Sequence, residues 1–287
     1  LAEVTRPTTV LATITSSLSV TEIAKATPHP ERVVGLHFFN PPHQMPLVEI
    51  VRTKQTSPKT LARTLALVNR IGKTKVIVSD CAGFLVNRLL APYMGEAGYL
   101  VTEVADPLDI ERAAIDFGMP MGPLELIGLV GIDVAAHVAE NMQKAYGDRF
   151  APAPIWARLQ NLTASAGKEL KLVEKTRRAM RINPLVATAI DELRSQPQQG
   201  NEPTLPQDVI TQRLIFPIIN EATRCLEEGV VERPEDIDLA MVFGTGFAPF
   251  RGGPLRYADT EGVANIVIAL DRFAEEQPRL APCDELK

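Results

Sequence analysis

The sequence predicts an α/β segment followed by a mainly α-helical segment with tandem helical units. Three observations support this fold class. Strand-like and helix-like runs alternate as far as residue 83, strand signals nearly vanish beyond it, and one helical pattern of the second part occurs twice. Alternating element types are typical of an α/β sheet, and long runs with helical periodicity indicate packed helices.

The α/β segment contains four predicted strands and two predicted helices. Apolar and β-branched runs predict strands over residues 8–14, 33–38, 47–52 and 74–79. Helical spacing predicts helices over residues 19–27 and 58–71. The first strand run has the composition of an inner strand of a sheet, so we expect the chain to start in the middle of a domain.

The helical segment starts after Gly83. Residues 84–104 have the spacing of one long apolar helix, and Pro107 starts another helix at a position that tolerates proline. Residues 196–206 are rich in proline and glutamine, which indicates a linker. The predicted domains are residues 1–83, 84–195 and 196–287.

An internal repeat runs through the helical segment. The run Asn87-Arg-Leu-Leu-Ala-Pro-Tyr-Met-Gly-Glu-Ala97 aligns with Gln212-Arg-Leu-Ile-Phe-Pro-Ile-Ile-Asn-Glu-Ala222. The run Asp116-Phe-Gly-Met-Pro-Met-Gly-Pro123 aligns with Val242-Phe-Gly-Thr-Gly-Phe-Ala-Pro249. Because proline and glycine also coincide in order and at a nearly constant offset, we interpret the two runs as copies of one helical unit.

Composition indicates an ordinary globular protein. The chain has 287 residues, of which 45% are hydrophobic and 23% charged, and its net charge is -5. An acidic chain without a basic run between aromatic residues does not match a nucleic-acid groove. No stretch approaches the roughly 20 apolar residues of a membrane span. Three scattered cysteines, Cys81, Cys225 and Cys283, favour reduced thiols and a cytoplasmic location.

His37 and Glu49 are the residues most able to carry chemistry. His37 ends one predicted strand and Glu49 lies in the next, so adjacent strand ends can bring them within hydrogen-bond reach. A carboxylate that receives one ring N–H fixes the imidazole tautomer and makes the other nitrogen a better proton acceptor. The alternative is a satisfied buried histidine beside a solvated glutamate at a strand edge. No metal site is expected, because no cluster of ligand spacing joins His37 and His43.

Three further polar residues follow predicted strands or open the long helix. Ser16 follows the first strand, Asn40 follows the His37 strand, and Asn87 lies in the first turn of the helix after Gly83. A structural interpretation exists for each: Ser16 or Ser17 as a helix N-cap, Asn40 as a turn residue, and Asn87 as a capping or polar-face residue.

These residues lie in strings that resemble the 3-hydroxyacyl-CoA dehydrogenase family in order and spacing. The strings are Thr15-Ser-Ser-Leu18, Gly35-Leu-His-Phe-Phe-Asn-Pro41, Leu47-Val-Glu-Ile50, Asp80-Cys-Ala-Gly-Phe-Leu-Val-Asn-Arg-Leu-Leu90 and Met119-Pro-Met-Gly-Pro-Leu-Glu-Leu126. The duplicated unit ends in Gly246-Phe-Ala-Pro-Phe-Arg-Gly-Gly-Pro-Leu255. It is more specifically similar to the α subunits of fatty acid oxidation complexes, multifunctional enzymes that join an enoyl-CoA hydratase to this dehydrogenase.

The resemblance implies a fold, a reaction and a role for each residue. The α/β segment would be the C-terminal portion of a Rossmann-like NAD-binding domain, and the reaction the oxidation of (S)-3-hydroxyacyl-CoA to 3-oxoacyl-CoA with NAD. His37 would be the general base, oriented by Glu49. Ser16 and Asn87 would bind the substrate, and Asn40 with Ser16 would contact the cofactor.

Departures from the family pattern concern the cofactor side. The family's Gly-x-Gly-x-x-Gly turn, which lets the backbone approach the pyrophosphate, is not in the sequence. The only Gly-x-Gly, at Gly244 and Gly246, has Pro249 in place of the third glycine. Ile14 and Ala82 replace an asparagine and a proline common in the family. We therefore expect a fragment that is inactive by itself.

The resemblance also implies partners and leaves rival functions open. An enoyl-CoA hydratase domain of the same parent chain and a thiolase β subunit are the implied partners. A rival interpretation is a helical docking module without catalysis, because Gln212 takes the place of Asn87 in the second copy, which has no histidine–glutamate pair. A dehydrogenase acting on free 3-hydroxy acids is a third interpretation.

Overall fold

The computed structural model of the chain describes residues 1–104, 106–166, 170–176, 179–194 and 205–287. The strands are β1 (Leu11–Thr13), β2 (Val33–Phe38), β3 (Leu47–Arg52), β4 (Thr74–Ser79), β5 (Val173–Lys175) and β6 (Met180–Ile182). The helices are α1 (Val20–Lys25), α2 (Pro58–Arg70), α3 (Val86–Glu103), α4 (Leu108–Phe117), α5 (Pro123–Val130), α6 (Ile132–Tyr146), α7 (Pro154–Ala166), α8 (Pro184–Leu193), α9 (Gln207–Glu227), α10 (Pro234–Thr245), α11 (Pro254–Glu261) and α12 (Val263–Ala274).

The described chain forms two compact units. The first combines Leu1–Arg88 with Glu221–Glu261, and the second combines Leu89–Asn220 with Gly262–Lys287. An α/β part followed by a mainly helical part is the predicted fold class, which is confirmed. The predicted sequence modules 1–83, 84–195 and 196–287 remain a prediction.

A four-stranded sheet in the order β1-β2-β3-β4 is the base of the first unit. β1 runs parallel to β2, β2 antiparallel to β3, and β3 parallel to β4. All four strands were predicted, although β1 is shorter than the run over residues 8–14. β1 forms one edge of this sheet and Ile14 beside it is 76% exposed, so an inner position for this run stays a prediction.

The core of the first unit lies between the two central strands and α2. It contains five buried aliphatic residues: Val34, Leu36, Val48, Ile50 and Val68. The helix begins at Pro58, and the preceding Ser57 accepts a hydrogen bond from the Thr60 amide, as an N-cap does. These contacts pack α2 against β2 and β3.

Residues of the second helical copy complete the first unit. α10 packs against β3 and β4. At the end of β4, the amide of Ser79 donates to the Val230 carbonyl at 2.8 Å and its hydroxyl donates to the Gly229 carbonyl at 3.0 Å. The α/β sheet therefore packs against and hydrogen-bonds to a segment that lies far from it in sequence, the Gly229–Val230 turn and α10.

The second unit is mainly helical, with one two-stranded hairpin. β5 and β6 pair antiparallel, with Val173 opposite Ile182. The sequence did not predict this hairpin, because its strands have three residues each and no alternating apolar pattern. The predicted linker over residues 196–206 lies outside the described residues except at 205 and 206. In the part of the chain that is described, no helix is long and apolar enough to cross a membrane.

The internal repeat appears in the structure as two matching helix series. α3 to α6 correspond in order to α9 to α12, and both long helices contain a proline, Pro92 and Pro217. The second helix of each series ends at a left-handed glycine, Gly118 with φ 113° and Gly246 with φ 76°. Glycine adopts this backbone conformation without steric cost, so the shared glycines mark the same helix end in both copies.

In the first copy a buried glutamate caps the third helix. Glu111 accepts hydrogen bonds from the amides of Leu124 at 2.8 Å and Glu125 at 3.3 Å, at the start of α5. A Cβ at Gly122 would lie 2.3 Å from the Glu111 carboxyl group. Only glycine at this position therefore leaves room for the carboxylate.

The second copy repeats the device with an aspartate. Asp238 accepts hydrogen bonds from the amides of Leu255 at 2.8 Å and Arg256 at 3.1 Å, at the start of α11. A Cβ at Gly253 would lie 2.4 Å from the Asp238 side chain. The alignment based on Pro123 and Pro249 did not reveal this match, because the second copy has a longer turn before its Gly-Pro pair.

Two buried arginines also occupy equivalent places in the copies. In the second unit, Arg213 Nε donates to Glu96 at 2.6 Å, and its Nη1 pairs with Glu103. In the first unit, Arg88 Nε donates to Glu221 at 2.7 Å. In the aligned runs Arg88 matches Arg213 and Glu96 matches Glu221, so each arginine pairs with the glutamate of the other copy.

We predict that Glu111 makes the stability of the second unit depend on pH. Burial raises the pKa of Glu111 to about 7, against hydrogen bonds from two backbone amides that lower it. Because the folded state binds the proton more tightly than the unfolded chain, the free energy of unfolding falls as pH rises from about 4.3 to about 7. The loss is at most about 4 kcal/mol.

Urea unfolding or hydrogen exchange of the α5 amides between pH 5 and pH 8 measures this slope. The variant Glu111→Gln should remove it. Glu140→Gln, which changes an exposed carboxylate on α6 of the same unit, should keep it. An identical slope in the Glu111→Gln variant would contradict the assignment.

Candidate active site

His37 and Glu49 face each other across the two central strands. They are directly opposite in the antiparallel register of β2 and β3, so their side chains project to the same face of the sheet. His37 Nδ1 lies 2.5 Å from Glu49 Oε2. The exposed fraction is 6% for His37 and 0% for Glu49. The predicted pair is formed, and the alternative of a solvated glutamate at a strand edge is wrong, because β3 lies between β2 and β4.

The second carboxylate oxygen of Glu49 binds the start of α3. Glu49 Oε1 accepts hydrogen bonds from the amides of Leu85 at 3.1 Å and Val86 at 2.9 Å. The first amides of a helix have no partner within it, and the helix dipole favours a negative charge there. Three donors therefore hold the buried carboxylate, which accepts rather than donates.

This arrangement fixes the state of the imidazole. Because an ionised carboxylate can only accept, the neutral imidazole beside it has its proton on Nδ1 and its lone pair on Nε2. Among the described residues no group forms a hydrogen bond with Nε2. His37 therefore has one bonded ring nitrogen and one without a hydrogen bond among the described residues, and its role as a base stays a prediction.

Two aromatic rings flank the imidazole. The ring centroids of Phe39 and Phe84 lie 4.7 Å and 5.4 Å from that of His37. Phe84 adopts a left-handed backbone with φ 51°, directly after Gly83 with φ 76°. A bulky residue rarely adopts this conformation. The strain falls at the turn that aims the Leu85 and Val86 amides at the Glu49 carboxylate.

Ser16 lies at the same end of the sheet as His37. β1 and β2 are parallel, with Thr13 opposite Gly35. Ser16 comes three residues after Thr13 and His37 two residues after Gly35, so both lie toward the same end of the sheet. Ser16 does not cap α1: the N-cap is Ser19, whose side chain accepts from the Glu22 amide. The interpretation of Ser16 or Ser17 as a helix cap is therefore wrong.

Asp80 holds the loop that carries Ser16. Its carboxylate accepts hydrogen bonds from the Ser19 hydroxyl at 2.8 Å and the Thr21 amide at 2.7 Å. Sequence reasoning placed Asp80 in a family string without assigning it this task. Its signal was an acidic residue directly after β4, at the edge where the other site residues lie.

Asn40 and Asn87 lie close along the chain to residues of the His37–Glu49 pair, called the dyad below: Asn40 follows His37, and Asn87 follows the two amides that bind Glu49. Asn40 follows β2 and is exposed; the bond that joins it to Pro41 is cis. Asn87 is half-buried in the first turn of α3 and follows Val86 directly. It does not cap that helix, because Glu49 takes the amides there. Within the described parts of the chain, the side chains of Ser16, Asn40 and Asn87 form no hydrogen bond, so their polar atoms are available to a ligand.

Among the described residues, no three His, Cys, Asp or Glu side chains cluster as metal ligands do. The chemistry that the dyad itself can perform is proton abstraction by His37 Nε2, with the resulting imidazolium balanced by Glu49.

Sequence models of two protein domains match the chain. Residues 1–81 match "3-hydroxyacyl-CoA dehydrogenase, NAD binding domain", and residues 83–173 and 209–286 match "3-hydroxyacyl-CoA dehydrogenase, C-terminal domain". The second description thus covers a segment in each helical copy.

Curated relatives are fatty acid oxidation complex subunits. The "Fatty acid oxidation complex subunit alpha" of Acinetobacter baumannii (strain AYE) is 40% identical over 277 residues, covering 94% of this chain and 38% of the relative. The protein of the same name from Shewanella amazonensis is 40% identical and covers 97% of this chain and 39% of the relative. The chain therefore spans about two fifths of the length of these relatives.

Solved structures share the fold over nearly the whole chain. The 3-hydroxybutyryl-CoA dehydrogenase of Escherichia coli K12 aligns with a TM-score of 0.80 at 28% identity, covering 99% of this chain and 76% of that one. The dehydrogenase part of multifunctional enzyme 1 from C. elegans aligns with a TM-score of 0.66 at 28% identity, covering 99% and 66%.

We predict that Glu49→Ala lowers the free energy of unfolding by about 3 kcal/mol or more. The change leaves three buried donors without an acceptor: His37 Nδ1–H and the amides of Leu85 and Val86. Denaturant unfolding of the purified chain measures the loss. The matched control is Glu232→Ala, which removes an exposed partner of Arg52 and should cost at most about 0.5 kcal/mol. Equal losses in the two variants would contradict the network described here.

Proposed function

This chain belongs to the 3-hydroxyacyl-CoA dehydrogenase family, and from that premise we propose that it carries the proton-abstraction site for oxidation of (S)-3-hydroxyacyl-CoA to 3-oxoacyl-CoA in fatty acid β-oxidation. The observation that supports this most directly is the 2.5 Å bond between His37 Nδ1 and Glu49. It leaves Nε2 as the acceptor that oxidation of an alcohol requires.

The base and its partner divide the work. His37 Nε2 takes the proton of the substrate's 3-hydroxyl group as the bond to hydrogen at C3 breaks. The imidazolium that forms is stabilised by Glu49, whose charge is already desolvated and needs no reorganisation when the proton arrives. His37 is buried beside two phenylalanine rings, and the low dielectric constant of such surroundings strengthens this interaction.

NAD fits the chemistry of the site. Oxidation of the alcohol releases one proton and one hydride; the dyad accepts the proton, and bound NAD would supply the hydride acceptor. We propose that Asn40 and Ser16 hold its nicotinamide end, because they follow β2 and β1 at the carboxyl ends of these strands, where open α/β sheets bind ligands. Their side chains form no hydrogen bond with other described residues.

Ser16 and Asn87 are the proposed substrate ligands. A hydroxyl and a carboxamide can donate to the C3 oxygen or to the thioester region, and both become more effective as the C3 oxygen gains carbonyl character. Asn87 is covalently next to Val86, which binds Glu49, so the substrate oxygen and the base would share one rigid support.

The parent protein is proposed to work in an assembly. The relatives are named α subunits of a fatty acid oxidation complex, so we propose an enoyl-CoA hydratase domain and a thiolase β subunit as partners in the cytoplasm.

A docking role is the second candidate function. It is favoured because the second copy matches the C-terminal-domain model but has no histidine–glutamate pair of its own. Binding of thiolase without NADH formation by the full-length gene product would favour docking over catalysis.

We predict that the full-length gene product forms NADH from a 3-hydroxyacyl-CoA and that residues 1–287 alone do not. The reason is that this sequence has no Gly-x-Gly-x-x-Gly turn for the pyrophosphate. NADH absorbance measures the activity of the two proteins, and NAD titration measures their binding of the cofactor.

A free 3-hydroxy acid, used as the comparison substrate, should react more slowly than its CoA thioester. Faster reaction of the free acid would contradict the thioester assignment.

In the full-length gene product, His37→Gln should lower kcat by about a thousandfold, because general-base assistance typically contributes on that order. The control is His43→Gln, which changes an exposed histidine of the turn after β2 and should keep activity. Steady-state kinetics with a saturating thioester measures the change. A His37→Gln enzyme with more than about a tenth of normal kcat would sink the assignment of the base.

A further inference from the structure

Residues of the second helical copy pack against both elements that surround Glu49. Leu47 lies two residues before Glu49 in β3, and Val86 donates its amide to the Glu49 carboxylate. A Cβ at Gly244 of α10 would lie 2.8 Å from Leu47 Cδ2 and 3.3 Å from Val86 Cγ2. α10 therefore packs against both residues so closely that a Cβ at Gly244 would force the Leu47 side chain to move and would crowd Val86.

Arg88 fixes the same support from inside α3. It lies two residues after Val86 and is fully buried. Its Nε donates to Glu221 at 2.7 Å, while Nη1 and Nη2 donate to Glu228 at 2.7 Å and 2.9 Å. A planar guanidinium bound to two carboxylates has a single orientation. The first turn of α3, and with it the Val86 amide, is thereby tied to the end of α9.

We propose that these second-copy residues position the dyad: Gly244, Glu221 and Glu228 hold Leu47, Val86 and Arg88 so that the backbone amides of α3 meet Glu49. This inference rests on the proposed function and deepens it. Gly244 and the two glutamates touch no reacting atom; they are positioning residues that act through Glu49 on the His37 tautomer. The second copy, which has no dyad of its own, thus serves the site of the first.

A purely structural role makes a different prediction. A contact that only stabilises the fold lowers the unfolding temperature without changing the hydrogen bond between His37 and Glu49 in the folded molecules. A positioning contact changes that bond. The His37 Nδ1 proton reports it by NMR without substrate or cofactor, so this readout holds even if the proposed activity is not found.

The first test is Gly244→Ala, with Gly95→Ala as the matched control. Both are helical glycines, but a Cβ at Gly95 meets no heavy atom within 4 Å. In Gly244→Ala the His37 Nδ1 proton should move upfield and exchange with water about tenfold faster. In the full-length protein kcat should fall about tenfold, while KM stays within about twofold. Small misplacements at a reacting centre have effects of this order. Gly95→Ala should leave the chemical shift and exchange rate of this proton, kcat and KM unchanged.

The second test covers the case in which Gly244→Ala does not fold. Glu228→Ala removes a half-exposed partner of Arg88, and Glu227→Ala changes its exposed neighbour on α9. Glu228→Ala should weaken the Nδ1 proton signal and shift the pH profile of kcat, Glu228→Gln should restore part of both, and Glu227→Ala should match the wild type. An unchanged Nδ1 proton in folded Gly244→Ala and Glu228→Ala, whatever their unfolding temperature, would overturn the proposal.

Discussion

The buried carboxylate of Glu49 is the interaction on which the rest of the structure depends. It sits at the centre of the sheet with no exposed surface and is stable there because the His37 ring and two backbone amides all donate to it. The donors come from β2 and from the start of α3, and the acceptor belongs to β3, so these three elements must meet at one point. The strained turn at Phe84 follows from that requirement.

The duplicated helical unit supplies the second level of organisation. Each copy uses a carboxylate of its second helix to cap its third, and a glycine that leaves room for it. The long helices carry matched arginines, Arg88 and Arg213, that reach glutamates of the other copy. The copies therefore have the same carboxylate cap, and each also forms an arginine–glutamate pair with the other. Residues from both copies belong to each compact unit.

Much of the fold and of the site could be predicted, because the relevant signals are local. The strands, the alternation and the pairing of His37 with Glu49 follow from short runs and from two consecutive strands. The amides of Leu85 and Val86 could not be predicted as partners of Glu49, because their direction depends on the turn before α3. The partners of Arg88 were also missed, since they lie far along the chain and leave a signal only in the matched Arg and Glu positions of the aligned copies.

The ion-pair cluster around Arg88 bears on how such a chain can evolve. A buried guanidinium that loses both carboxylates retains its charge in a site without water, which costs several kcal/mol. Replacement of Glu221 and Glu228 by apolar residues within the intact fold would leave Arg88 in that state. The three positions therefore constrain one another: a change that removes the carboxylates is tolerated only together with a change that removes the guanidinium.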